Sequence, residues 1–146
     1  IIVQHTDSPA ALQVAQERGV LGFGQASDMK AFAPKAQLTA IIDNWNPYYI
    51  KRVKAAMDGS WKQQDSWEGL ASGEVEMAAY ENMPAELAAE AEALEAKLAS
   101  GDIHAFDGPI FDQEGKEILA AGETYDDGVL AGMSFYVMGV EGSLPN

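Results

Sequence analysis

The chain has 146 residues, 47% of them hydrophobic, enough to bury one modest core and to predict one domain or one large piece of a domain. Nine Lys and Arg stand against 23 Asp and Glu, a formal net charge of -14, so electrostatic repulsion argues against nucleic acid and anionic membrane as partners. The absence of cysteine removes disulfides, thiolate metal sites and Cys nucleophiles, and no apolar run approaches the roughly 18 to 20 residues that span a bilayer.

The opening run Ile1-Ile2-Val3 has the character of a chain that starts inside an element, so an upstream segment is expected, and the lack of a visible leader does not assign a compartment. Ile1 to Gln4 is predicted as a buried strand, followed by the polar turn His5-Thr6-Asp7-Ser8. Ser8 suits an N-cap and Pro9 the first helical position, so a helix is predicted from Pro9 to Arg18, closed by Gly19. Val20 to Phe23 is then a second short strand entering the loop Gly24-Gln25-Ala26-Ser27-Asp28, a β-α-β rhythm.

Leu38 to Ile42 is β-branched and apolar, a third buried strand that ends at Asp43-Asn44-Trp45-Asn46. Asn46-Pro47 repeats the cap-then-proline signal, and Tyr49, Val53, Ala56 and Met57 share one face of the amphipathic helix that follows and stops at Gly59. A polar stretch carrying Trp61 and Trp67 leads to Glu74 to Ala78, whose period-two alternation predicts a strand with one wet face. Pro84 to Ser100 is the clearest helix, with the stripe Leu87, Ala91, Leu94 and Leu98 on an acidic, solvated background. Ile110-Phe111 and Glu117 to Leu119 flank a turn and predict a β-hairpin, and Met133 to Met138 is a last strand or a docked segment. The whole pattern predicts an α/β fold with a mostly parallel sheet flanked by helices and a C-terminal β-hairpin.

Each of the first three strands ends in polar or aromatic residues, and the C-terminal edge of an open parallel sheet is where such folds hold ligands. The same residues also suit caps and turns, and that reading stays open. Catalytic patterns are missing. His5, Asp7 and Ser8 are neighbours on one turn and cannot converge as a triad, and there is no G-x-S-x-G elbow. His104 has no histidine at metal spacing. Gly22-Phe23-Gly24 lacks the third glycine of a dinucleotide fingerprint, and Asp112 to Lys116 lacks the calcium-loop pattern.

Three stretches together carry a family likeness: Ile2-Val3-Gln4-His5-Thr6-Asp7-Ser8-Pro9, then Gly22 to Met29 (GFGQASDM), then Ala33 to Trp45 (APKAQLTAIIDNW). With Gly108-Pro109-Ile110-Phe111-Asp112 and Gly122 to Asp127 they resemble, in order and spacing, the C-terminal half of basic membrane protein (BMP) family substrate-binding proteins of ABC transporters. The resemblance implies a type I periplasmic-binding-protein lobe: residues 1–146 would be the second lobe plus the return to the first, with the first lobe lying upstream. It implies reversible capture of a purine base or nucleoside, no catalytic residue, no cofactor and no metal. It also implies export to the periplasm or cell surface, a lipid anchor upstream as the only membrane link, and an ABC permease and ATPase as partners.

By position, His5, Thr6, Asp7 and Ser8 resemble the cleft loop that faces the base, and Gly24, Gln25 and Asp28 belong to the ligand loop. Asn44-Trp45-Asn46 stands where relatives often have Lys, Asn and a ribose-binding Asp, and Gly69-Leu70-Ala71 where they often have Gly-Leu-Lys. Asn46 and Ala71 thus remove a charged acceptor and a cation, which favours a free base such as adenine over a nucleoside. Trp45 is the expected stacking residue, with Trp67 as a second aromatic surface, Asp7 and Asp28 as acceptors, and Asn44 among the supplementary hydrogen-bonding groups. Two other classes are weighed: a small α/β enzyme acting on a nucleoside or sugar, and a sensory or interaction domain that kept the fold without a ligand.

Overall fold

The computed structural model describes residues 1–144, and the chain divides into two compact units at Ser100/Gly101. The first unit runs α1 (Ala10–Glu17), β1 (Gly22–Ala26), β2 (Gln37–Asp43), α2 (Asn46–Asp58), a 3-10 turn (Leu70–Ser72), β3 (Val75–Met77) and α3 (Ala85–Ser100). Its sheet has the order β1-β2-β3. β1 and β2 are parallel, from Gly22↔Gln37 to Ala26↔Ile42, and β3 pairs antiparallel to β2. The fold is therefore α/β as expected, with a sheet that is parallel from the Ile2 bridge through β1 to β2 and carries β3 antiparallel at its edge.

Two strand expectations need correction. Ile1 to Gln4 is not a buried strand: Ile1 is 79% and Val3 76% exposed, and only Ile2 bridges to Gly22, in parallel. Its N–H donates to the Leu21 carbonyl at 2.8 Å and its carbonyl accepts from the Phe23 N–H at 3.0 Å, too few bonds to order the run as a strand. Gly24 and Gln25 lie within β1, not in a loop after it. A Cβ on Gly24 would stand 2.7 Å from the Ala40 Cβ and 3.0 Å from the Gln37 Oε1, so this glycine permits close packing within a strand.

The helices start and stop near their sequence signals. The N-cap of α1 is Pro9 and not Ser8, although Ser8 Oγ still accepts from the Ala10 N–H at 3.3 Å; α1 closes through a left-handed Gly19, with the Val20 N–H donating to Ala15 O at 2.9 Å. Asn46 and Pro47 form the first turn of α2, whose C-cap is left-handed Gly59. The core of this unit is Leu12 and Ala15 from α1 against Met29, Ala33 and Ala36 from the β1–β2 connection. The buried first half of β2 adds Leu38 and Ala40, with Thr39 Oγ donating to the Ala78 carbonyl at 2.6 Å. α2 and α3 bury no residue fully; Tyr49, Val53, Met57, Leu87 and Leu94 all remain more than half exposed.

The second unit is built on the antiparallel hairpin β4 (Ile110–Phe111) and β5 (Glu117–Leu119). Asp112 Oδ1 accepts from the Glu114 and Lys116 N–H groups across its turn, at 3.1 and 2.9 Å. The tail docks on the hairpin: Val137 bridges Asp112, and the Met138 N–H donates to Phe111 O at 2.9 Å. A short helix that the sequence patterning missed, α4 (Asp127–Ala131), is capped by Asp126, whose side chain accepts from the Val129 N–H at 2.9 Å. Five residues are too few to display a helical period, so the capping aspartate was the only signal. Among the described residues no helix is long and apolar enough to cross a membrane.

Candidate functional site

The Ile2 bridge, β1 and β2 are mutually parallel, so the segments that follow them, His5 to Ser8, Ser27-Asp28 and Asn44-Trp45, leave the same C-terminal edge of the sheet. The first turn of α2 starts directly after Trp45, and α1 starts after the His5 to Ser8 turn. A cavity of about 250 Å³ lies at the end of β2, lined by Asp43, Trp45, Ser66, Trp67, Glu68, Glu74 and Val75. Of the residues expected from the sequence it brings together Trp45 and Trp67. His5, Thr6, Asp7, Ser8, Gly24, Gln25, Asp28 and Asn44 do not line it.

Trp45 is 56% and Trp67 63% exposed, so each indole presents free surface. Trp45 also packs against α2: the Tyr48 ring meets it edge-on at 5.7 Å between centroids and Tyr49 is tilted at 6.2 Å. The cavity wall carries three carboxylates, Asp43, Glu68 and Glu74, and no cationic side chain; the nearest cation by ion pairing is Lys51, 3.6 Å from Glu68. Such a wall accepts hydrogen bonds and disfavours anions. Asp43 and Glu74 were legible only as the last residue of an apolar run and the first of an alternating one. The β2–β3 pairing, Asp43↔Val75, is what makes them neighbours.

Asn44 follows Asp43 in the chain and is bonded to the segment that carries Glu74. Its side-chain NH2 donates to Gly73 O at 3.0 Å and to Glu76 Oε1 at 2.6 Å, its Oδ1 accepts from the Asn46 N–H at 3.3 Å, and its backbone N–H donates to Glu74 O at 2.8 Å. It ties the end of β2 and the start of α2 to the segment that carries Glu74.

Asp28 belongs to a second constellation. Its Oδ1 accepts from Gln37 Nε2 at 2.7 Å and from the Lys30 N–H at 2.9 Å, while Gln37 Oε1 accepts from the Met29 N–H at 2.9 Å. The Gln37 amide is the largest cause holding the Asp28 carboxyl below its usual range; the Lys30 N–H adds to it, burial opposes it, and the Lys30 charge contributes least. Gln37 is 2% exposed, a buried polar residue inside a strand that alternation alone does not single out. On the neighbouring turn, His5, Thr6, Asp7 and Ser8 are exposed, and Thr6 Oγ1 donates to Gln4 Oε1 at 3.3 Å.

No family model matches the chain. It is 55% identical over 145 residues, 99% of its length, to a purine-binding protein of Brucella abortus (strain 2308). The likeness seen in the sequence thus extends, along this chain, to a protein named for purine binding. A putative ABC transporter glucose-binding protein of Haloferax volcanii is 27% identical over 147 residues, across 100% of this chain. The chain spans 41% and 35% of these two relatives, less than half of either. Both carry names of binding proteins and neither that of an enzyme. Among solved structures, a solute-binding protein of an ABC transporter system from Conexibacter woesei superposes with a TM-score of 0.51 at 21% identity, over 70% of this chain and 35% of that one. A transcriptional activator of the comK gene from Bacillus halodurans superposes with a TM-score of 0.60 at 11% identity, over 70% and 38%. At such identities the superpositions speak for the α/β fold alone.

Proposed function

We propose that the chain is the ligand-facing part of an extracytoplasmic solute-binding protein that captures a purine base or nucleoside, with adenine favoured, for an ABC importer. The observation that carries this reading is the cavity at the end of β2, where two partly exposed indoles meet three carboxylates. A flat base stacks on an indole face, and its exocyclic amine and ring N–H groups find acceptors in Asp43, Glu68 and Glu74. The same charges disfavour phosphorylated nucleotides. The 55% identity to a purine-binding protein supports the ligand class.

No bond is made or broken in this scheme. A second lobe supplied by the rest of the protein closes over the base, and the ligand stabilises the closed form through its better contacts there. Asp7, Asp28, Thr6, Ser8 and Gln25, on the same sheet edge, are proposed to meet the ligand or the facing lobe on closure. An export signal with or without a lipid anchor, a permease and an ATPase complete the proposed system. A sugar is the second reading, since carboxylates beside indoles also suit hydroxyl donors and one relative is named for glucose.

Calorimetric titration of the two-lobe protein with adenine, adenosine, guanosine, ribose and glucose decides between them. Adenine binding weakened roughly 5- to 150-fold by Trp45→Ala is expected, the range that loss of one base–aromatic stack implies. Silence toward every purine, with glucose or ribose bound, refutes the purine reading.

A further inference from the structure

Residues 60–69 have no regular secondary structure, yet they bring Ser66, Trp67 and Glu68 to the cavity. A segment without ladder bonds is placed by whatever its carbonyls and side chains meet. Arg52, half-buried on α2, meets it twice: Nη1 donates to the Lys62 carbonyl at 3.3 Å and Nη2 to the Gln64 carbonyl at 3.0 Å. The guanidinium itself lies over two rings, 5.4 Å from the Tyr48 ring centroid and 5.9 Å from that of Trp61. Its Nε donates to the Tyr48 hydroxyl at 3.3 Å. One helix therefore carries Tyr48, which abuts Trp45, and Arg52, which grips the segment bearing Trp67.

We propose that Arg52 is a positioning residue for the ligand cavity: its two hydrogen bonds to carbonyls 62 and 64 hold Trp67 at the wall before any ligand arrives. The proposal rests on the reading of this cavity as the purine site. Arginine suits the task because its rigid fork reaches two carbonyls at once, stacks on aromatic rings and never loses its charge; a lysine ammonium is a point donor on a flexible stem. The Lys51–Glu68 pair is a poor substitute, since at 3.6 Å with Lys51 66% exposed it is a weak, screened contact. Holding the segment in advance raises affinity by removing the ordering cost from the binding step.

The test compares Arg52→Ala, Arg52→Lys, Trp67→Ala and the Arg52→Ala/Trp67→Ala double variant in the two-lobe protein, by adenine titration and by backbone NMR order parameters without ligand. Arg52→Ala and Trp67→Ala are each expected to weaken adenine binding about tenfold, Arg52→Lys to behave like Arg52→Ala, and the double variant to be no weaker than the worse single one, because Arg52 acts through Trp67. Order parameters in residues 61–69 should fall in Arg52→Ala while those of β2 stay high. Losses that multiply in the double variant, or unchanged order parameters in residues 61–69, overturn the proposal. Lowered order parameters in a protein whose wild type binds no purine would instead sink the purine reading and leave the positioning role standing.

Discussion

Gln37→Leu tests the constellation that shapes the Asp28 turn. The amide is 2% exposed and both its ends are used: Oε1 accepts from the buried Met29 N–H, and Nε2 donates to Asp28 Oδ1. Leucine fills nearly the same volume and does neither. An orphaned buried N–H costs about 1–3 kcal/mol. The bond to Asp28, whose carboxylate is exposed, is worth about 1 kcal/mol, and the added apolar burial returns about as much. The net expectation is a loss of about 2 kcal/mol. In urea this appears as a midpoint lowered by about 1 M at unchanged slope.

The pH dependence gives the same prediction a second edge. Asp28 titrates below the usual carboxylate range in the folded chain, mainly because of the hydrogen bond from Gln37. That contribution is complete above the unfolded value and fades as the pH falls through the depressed folded value. The gap between wild type and Gln37→Leu should therefore be widest near neutrality and narrow below about pH 4. A variant as stable as wild type, or a gap indifferent to acid, would refute the account.

Gly24→Ala should destabilise by about 1–3 kcal/mol in the same assay, because the new methyl meets the Ala40 Cβ at 2.7 Å and presses on the Gln37 amide; Gly59→Ala, with open space around its Cβ, separates this crowding from the left-handed strain it carries instead. Tyr80, whose hydroxyl donates to Glu95 Oε2 at 3.1 Å, is pushed up to about 12 by burial first and by Glu95 second. Tyr80→Phe should cost about 1 kcal/mol. The difference from wild type should persist to about pH 10 and vanish as pH rises towards 12, measured by denaturant unfolding across that range.

The elements whose causes are local were legible in the sequence. Pro9, Pro47 and the glycines at 19 and 59 mark helix ends through backbone geometry that depends on the residue and its immediate neighbours. The Asp112 to Lys116 turn closes its own hairpin for the same reason. The α/β class followed from the order of these units, and Trp45 was singled out because it ends an apolar strand where parallel sheets hold ligands.

What joins distant residues was left to the tertiary structure. Trp45 and Trp67 are 22 positions apart by their numbers, and only the folding-back of residues 60–69 and the β2–β3 pairing brings them to one cavity with Asp43 and Glu74. Gly24 reads as loop punctuation in a one-dimensional pattern, yet its role is set by Ala40 and Gln37 on the adjacent strand. Periodicity shows which face of an element is apolar. Whether that face is covered, as for Leu12, or left open, as for Tyr49 and Val53, depends on partners that local sequence does not specify.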